Sequence, residues 1–234
     1  MIREENPMAK PPRSLESETG QTVLKQRSNG LATRAAILDA AEKMMAEIGY
    51  SSTTLRKLAT ETQTNIASIS YHFGSKASLL RGIYERRMSA VNKKRRAALQ
   101  AYLAEVGDGS PDIEKLLDCF LRPLIEAFRK GRGTRNFSRL YGRTAVDSTP
   151  EVRSVVLEFY NETAGEFLFA FRRACPELSE AEFARRSIFL YGAMTYSLAE
   201  TRHVNGVLQV ATDNGGEDFI QSIVSFTAAG FKAR

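Results

Sequence analysis

TTLRKLATETQTNIASISYHFGSKASLL, residues 53–80, holds two short apolar-periodic segments separated by Thr62-Gln63-Thr64-Asn65 and followed by a Ser-Lys helix start. On the first segment Leu55, Leu58, Ala59 and Thr62 stand three or four apart and share a face, while Arg56, Lys57 and Glu61 point away. On the second, Ile66, Ile69 and Phe73 form an i, i+3, i+7 stripe able to lock onto the first, leaving Ala67, Ser68, Ser70, Tyr71 and His72 on or near the other side. A helix with only solvent to face would carry Lys and Glu in i, i+4 pairs. This one carries hydroxyls, a phenol and an imidazole, groups that can meet base edges and phosphates. Asn65 is placed to cap the second helix and Ser75 the next, so the amides of Lys76 and Ala77 would sit at a positive helix terminus. The spacing predicts a helix-turn-helix that reads duplex DNA.

Working outward, Ile37, Ala40, Ala41, Met44 and Ile48 stack along one side of a helix over 33–48, with Gly49 as its left-handed stop; this completes a three-helix head. Beyond Gly82 a helical pattern continues over 83–105. Leu79, Leu80, Ile83 and Val91 can face the protein, while Arg86, Arg87, Lys93, Lys94, Arg95 and Arg96 are expected to stay in water. The remaining punctuation predicts helices over 112–130, bent at Pro123, and over 136–146, 150–174, 179–203 and 217–231, with a capping box at Ser179 and Glu182. No strand alternation or internal repeat is evident. The expected architecture is all-α: an amino-terminal three-helix helix-turn-helix domain, 31–80, joined to a larger helical ligand-binding and dimerisation domain, 81–234.

The chain has 234 residues and a net charge of +6. Up to residue 106 there are 17 lysines and arginines against 10 acids, and beyond it 16 against 17, so the excess charge is amino-terminal. A basic module attached to a neutral one is the footprint expected for a polyanion, with a separate body that binds something else. Residues 1–30 contain Pro7, Pro11, Pro12, Gly20 and Gly30 without apolar periodicity and read as a disordered tail. With no leader-like h-region and no run of eighteen apolar residues, a cytoplasmic protein without a membrane partner is expected. Cys119 and Cys175 lie far apart without CxxC spacing, so reduced thiols are expected, with no metal and no cofactor. His72 and His203 stand beside no catalytic motif, and no phosphate-binding glycine loop occurs, so no enzyme is expected. Carboxylate catalysis, or a helical dimer that binds a protein and not DNA, are the alternatives.

Thr53-Thr54, Leu58-Ala59, Tyr71-His72-Phe73 and Ser75-Lys76 with Leu79-Leu80 match, in order and spacing, the amino-terminal pattern of the TetR family of bacterial transcription regulators, which residues 31–84 resemble. Where that family has Ala-Gly-Val, this chain has Thr62-Gln63-Thr64; if Gln63 takes the left-handed conformation that glycine tolerates, the turn costs about 1 kcal/mol. The resemblance implies a homodimer on palindromic operator DNA, acting as a repressor and released by a small-molecule effector. Thr54, Arg56, Tyr71, His72 and Lys76 are the expected phosphate contacts; Ile66, Ala67, Ser68 and Ser70 are expected to face bases.

Two carboxy-terminal segments read as an assembly surface. Leu190, Ala193, Met194 and Ser197 form one stripe, and Phe219, Ile220, Ile223, Val224, Phe226 and Thr227 leave the last helix apolar over much of its circumference, which needs a partner. In the resembled family the last two helices of each subunit pair into a four-helix bundle about a two-fold axis. Phe120, Phe128, Phe137, Tyr141, Phe159 and Tyr191 can supply an apolar pocket, with Arg139 available to an anionic group. The stretch from Phe137-Ser138-Arg139-Leu140 to Gly192-Ala193-Met194 resembles fatty-acid-responsive members, which implies a fatty acid or acyl-CoA as effector.

Overall fold

The structure, a computed structural model, describes residues 16–129, 133–199 and 216–233. Among the described residues the regular structure is entirely helical: α1 (Glu16–Ile48), α2 (Leu55–Glu61), α3 (Ile66–Phe73), α4 (Lys76–Val106), α5 (Ile113–Arg129), α6 (Thr134–Ala145), α7 (Pro150–Ala174), α8 (Glu180–Ala199) and α9 (Glu217–Lys232). None of these helices is long and apolar enough to cross a membrane.

The chain divides into two units after Ala36. In the first, α1 begins at Glu16 and not at residue 33, which corrects the expectation of a disordered tail reaching residue 30. The three prolines of this region precede Glu16. From there only Gly20 and Gly30 oppose the helix, at about 1 kcal/mol each, and lengthening an existing helix requires no new nucleus. Residues before 16 lie outside those described.

The second unit, Ile37–Arg234, is built on one continuous core. Ile37, Ala41 and Met45 of α1, Leu58 of α2, Ile69 of α3 and Leu79, Leu80 and Ile83 of α4 are all buried, the three-helix head that the periodicity predicts. The buried stripe of α4 then runs on through Tyr84, Met88, Val91 and Leu99 into the body, where α4 packs on α5 and α7, α6 on α8, and α9 on α5 and α8. Head and body thus share a core and a helix. The body's boundaries follow the sequence punctuation closely. Pro150 opens α7 at its first turn, the Ser179 hydroxyl accepts from the Glu182 amide at 3.2 Å, and α5 passes through Pro123 without ending. The expected end of α8 near His203 lies outside the described residues.

The basic face of α4 departs from expectation at Arg87 and Arg95, while Arg86 stays exposed but is paired. Glu42 of α1 is only 2% exposed, and its carboxylate accepts from Arg86 Nη2 at 2.7 Å and from Arg87 Nη2 at 2.6 Å and Nε at 3.0 Å; Arg86 Nη1 also reaches Asp39 at 2.7 Å. Those two guanidinium groups therefore fold back onto α1 and join it to α4. Arg95 lies four residues after Val91 and four before Leu99, on the buried stripe itself, and is 4% exposed. Lys93 and Lys94 are exposed as expected, and Arg96 pairs with Glu162 at 2.9 Å.

Removing the buried carboxylate takes away the anion that Arg86 and Arg87 share. Glu42→Ala is expected to destabilise the protein by about 3–5 kcal/mol in urea unfolding, whereas Asp39→Ala, which removes an exposed partner of Arg86, costs less than about 1 kcal/mol. Equal effects would contradict this assignment.

Candidate nucleic-acid interface and ligand cavity

Side-chain caps fix the geometry of the head. Thr54 accepts from the Lys57 amide at 3.2 Å to start α2, Asn65 Oδ1 accepts from Ser68 at 2.6 Å to start α3, and Ser75 accepts from Ser78 at 3.0 Å to start α4. Between α2 and α3, Gln63 takes φ +52°, the left-handed conformation its position demands. The turn is tied down around it: the Thr64 amide donates to Ala59 O at 3.0 Å, Gln63 N to Thr60 O at 3.3 Å, and the Thr62 and Thr64 hydroxyls lie 2.8 Å apart.

Packed on α2 through buried Ile69 and half-buried Phe73, α3 turns Ala67, Ser70 and Tyr71 to solvent, the Tyr71 ring 86% exposed, while Ser68 and His72 are half-buried. Tyr71 and His72 meet edge to face, 5.4 Å between centroids. Ile66 departs from the apolar stripe and is 46% exposed. It is the first residue of α3, and side chains on a helix tilt toward the amino terminus, so it overhangs the helix start and finds no turn to pack on. Thr54 and Arg56 are exposed beside this surface. Lys76 is half-buried: its ammonium donates to Tyr50 O at 3.0 Å and lies 4.2 Å from the centroid of the Tyr50 ring. A phosphate meeting Lys76 would share it with Tyr50.

In the body, a small internal cavity of about 20 Å³ lies between α4, α5, α6, α7 and α8. Of the residues expected to bind a ligand, Phe120, Tyr141, Phe159 and Tyr191 line it. Phe128 and Phe137 line none of the cavities described and pack edge to face on each other at 5.4 Å, with Phe137 also against Tyr84 at 5.6 Å; they are core. Arg139 lines an outer groove of about 580 Å³ between α6 and α8, together with Val146, Ile188, Tyr191 and Thr195. A second groove of about 550 Å³ runs beside α7 past Arg153, Leu157, Tyr160 and Tyr191. Burial raises the Tyr84 and Tyr141 phenols far above their ordinary range, so both are neutral. Sequence reading missed Arg95, Tyr160 and Thr195; the available signal was an arginine on the apolar stripe of α4. Among the described residues no group of three or more His, Cys, Asp or Glu side chains could hold a metal ion.

Most of the residues expected to form an assembly surface are covered within the subunit itself. Leu190, Met194, Ile220, Ile223, Val224 and Thr227 are buried in their own subunit's core, and Ala193, Ser197 and Phe219 are half-buried. The apolar residues left in solvent are Ile188, Phe189 and Tyr196 of α8 and Phe226 of α9. Both helices are apolar over most of their circumference, and periodicity alone does not say which side the rest of the subunit covers.

Two family models match the chain. "Bacterial regulatory proteins, tetR family" covers residues 37–83, and "Tetracyclin repressor-like, C-terminal domain" covers 118–230. Among solved structures, the TetR family regulator PfmR from Thermus thermophilus has a TM-score of 0.57 at 18% identity, covering 82% of this chain and 93% of that one. SmeT, in complex with triclosan, has a TM-score of 0.57 at 18% identity over 85% of this chain and 90% of its own. GusR from Salmonella enterica has 0.53 at 16% identity over 87% and 97%. At these identities the likeness is one of fold. No curated protein matches this chain.

Because Gln63 alone among non-glycine residues described takes positive φ, Gln63→Gly relieves the turn. Chemical denaturation is expected to show a gain of about 0.5–1 kcal/mol; an unchanged or lower stability would mean the local hydrogen bonds already remove the strain.

Proposed function

The chain belongs to the TetR family of bacterial regulatory proteins, which are DNA-binding transcription regulators and not enzymes, and from this we propose that it acts as a homodimeric repressor on a palindromic operator and is released by a small molecule bound in its helical body. The observation that carries the DNA reading is the outer side of α3. A stable helix this short, capped at its start and locked through Ile69, spends its exposed face on Ile66, Ala67, Ser70 and Tyr71. Exposing a tyrosine and an isoleucine is unfavourable for an idle surface and suits contact with thymine methyl groups, base edges and sugar. Arg56 and Thr54 flank that face as phosphate contacts, and Lys76, His72 and Ser68 reinforce it from partly covered positions.

The dimer reading is supported by Ile188, Phe189, Tyr196 and Phe226, an apolar surface on the two packed helices α8 and α9. An isologous contact there would carry two heads related by a two-fold axis and match half-sites about one helical turn or more apart. The grooves beside Tyr191, with apolar walls and Arg139, Arg143 and Arg153 along them, are the entrance we assign to the effector.

Selection from random duplex DNA with the full-length protein, followed by anisotropy titrations at several salt concentrations, tests the first part. The expected result is a symmetric site whose affinity falls steeply as salt rises, and a loss of about 1–3 kcal/mol in Tyr71→Ala with the fold intact. Salt-insensitive binding, or full affinity in Tyr71→Ala, would overturn it. For the second part, sedimentation equilibrium is expected to convert the dimer to a monomer in Phe226→Glu, and a dimer that survives would place the interface elsewhere.

A further inference from the structure

Arg95 is the one fully buried guanidinium of the described body, and the protein leaves most of it unanswered. Its Nε donates to Phe120 O at 2.7 Å, its plane lies 4.1 Å from the centroid of the Phe120 ring, and its Nη2 finds only the Met194 sulfur at 3.8 Å. A guanidinium has five N–H donors, and a single oxygen acceptor serves them here. No carboxylate among the described residues pairs with it; the polar groups around it are the phenols of Tyr141, Tyr160 and Tyr191, and burial draws the arginine down to about 10. An arginine needed only to hold the Phe120 carbonyl, three residues before Pro123, would use one donor and leave the charge uncompensated.

The surroundings provide a way in. The cavity at Arg95 has room for no more than a water molecule, yet it is separated from both outer grooves by the same side chain, Tyr191, which lines all three spaces. Tyr191 rests edge to face on Tyr160 at 5.5 Å, an aromatic pair across α7 and α8 that a rotamer change can part. One turn further along α8, Thr195 Oγ1 is buried in the groove wall and faces the Tyr191 phenol. A cation with no anion thus lies behind one half-buried side chain that borders both outer grooves.

Resting on the reading of the body as an effector domain, we propose that the effector is an apolar molecule ending in one free carboxylate, whose head passes the Tyr160–Tyr191 pair and accepts from the unused N–H groups of Arg95. One buried positive charge among neutral phenols balances one negative charge. A phosphate dianion would be left in excess, and an acyl-CoA would bring a neutral thioester to this point.

Calorimetric titration of the full-length protein with linear carboxylates from hexanoate to hexadecanoate, each against the alcohol of equal length and its CoA thioester, reads the preference without any substitution. The acid is expected to bind about ten-fold or more tightly than either the alcohol or the CoA thioester. In Arg95→Met that preference disappears while operator binding persists, and Arg95→Lys retains part of it. No binding by any acid in the series, equal binding of acid and alcohol, or a preference that survives in Arg95→Met would each overturn the assignment. Should Arg95→Met fail to fold, the wild-type comparison and Arg95→Lys decide. Operator binding measured on the same sample keeps the two readings apart, because its loss in the wild type would sink the DNA reading and leave the carboxylate preference standing.

Discussion

The structure of the second unit depends on α4 being a single uninterrupted helix whose buried stripe serves two purposes at once. Its first turns, at Leu79, Leu80 and Ile83, close the three-helix head; its later turns, at Tyr84, Met88, Val91 and Leu99, form the centre of the body. At 31 residues it spans about 46 Å without a glycine or proline that would let one half bend independently after Gly82. The buried Glu42 carboxylate then ties Arg86 and Arg87 on the middle of α4 to α1. Head and body are for that reason one compact unit, and a displacement of the helix in one is felt in the other.

Much of this architecture was legible because it rests on short-range signals. Prolines, glycines and capping residues fall where helices begin and end, and the 3.6-residue period identified Leu58, Ile69, Leu79, Leu80 and Ile83 as core before any packing was known. The capping roles of Asn65 and Ser75 and the left-handed Gln63 are of the same kind, since each depends on the residues next to it. What the pattern could not resolve is which side of an all-round apolar helix the rest of the subunit covers. Phe189 and Leu190 are adjacent in sequence and lie on opposite sides of that decision. Residue counts also misled where a basic run crosses an apolar stripe: Lys93, Lys94, Arg95 and Arg96 read as one solvated face, yet helical geometry turns only Arg95 inward.

Polar groups placed in the α4 stripe distinguish the body from an ordinary helical core. Asn92 is fully buried beside Arg95's turn; its amide nitrogen donates to Phe159 O at 3.1 Å and Glu162 Oε2 at 2.9 Å, while its Oδ1 has no partner. A leucine at either position would pack more favourably and raise no desolvation cost. Their neighbours Phe120, Phe167 and Phe171 form a buried aromatic cluster, whereas Tyr160 and Tyr191 are half-buried beside the outer groove, so movement that accommodates a guest falls on that side.

Geometry also explains why a guest bound at Arg95 can matter to a surface far away. Arg95 and Lys76 stand on the same helix about 28 Å apart, so each degree of tilt pivoting near the cavity displaces the amino-terminal end of α4 by about half an ångström. That end is held to the head through Lys76 on the Tyr50 carbonyl and through Leu79 and Leu80 in the three-helix core, and these contacts carry α3 along with it. In the proposed dimer the two heads must match half-sites set by the duplex pitch, and hydrogen bonds to bases tolerate misplacement of only a few tenths of an ångström. A tilt of a few degrees, which is within what tilted helix packing accommodates, is therefore sufficient to take both heads out of register. The unanswered charge on Arg95 lies on the one element where binding a counter-charge would bias that tilt.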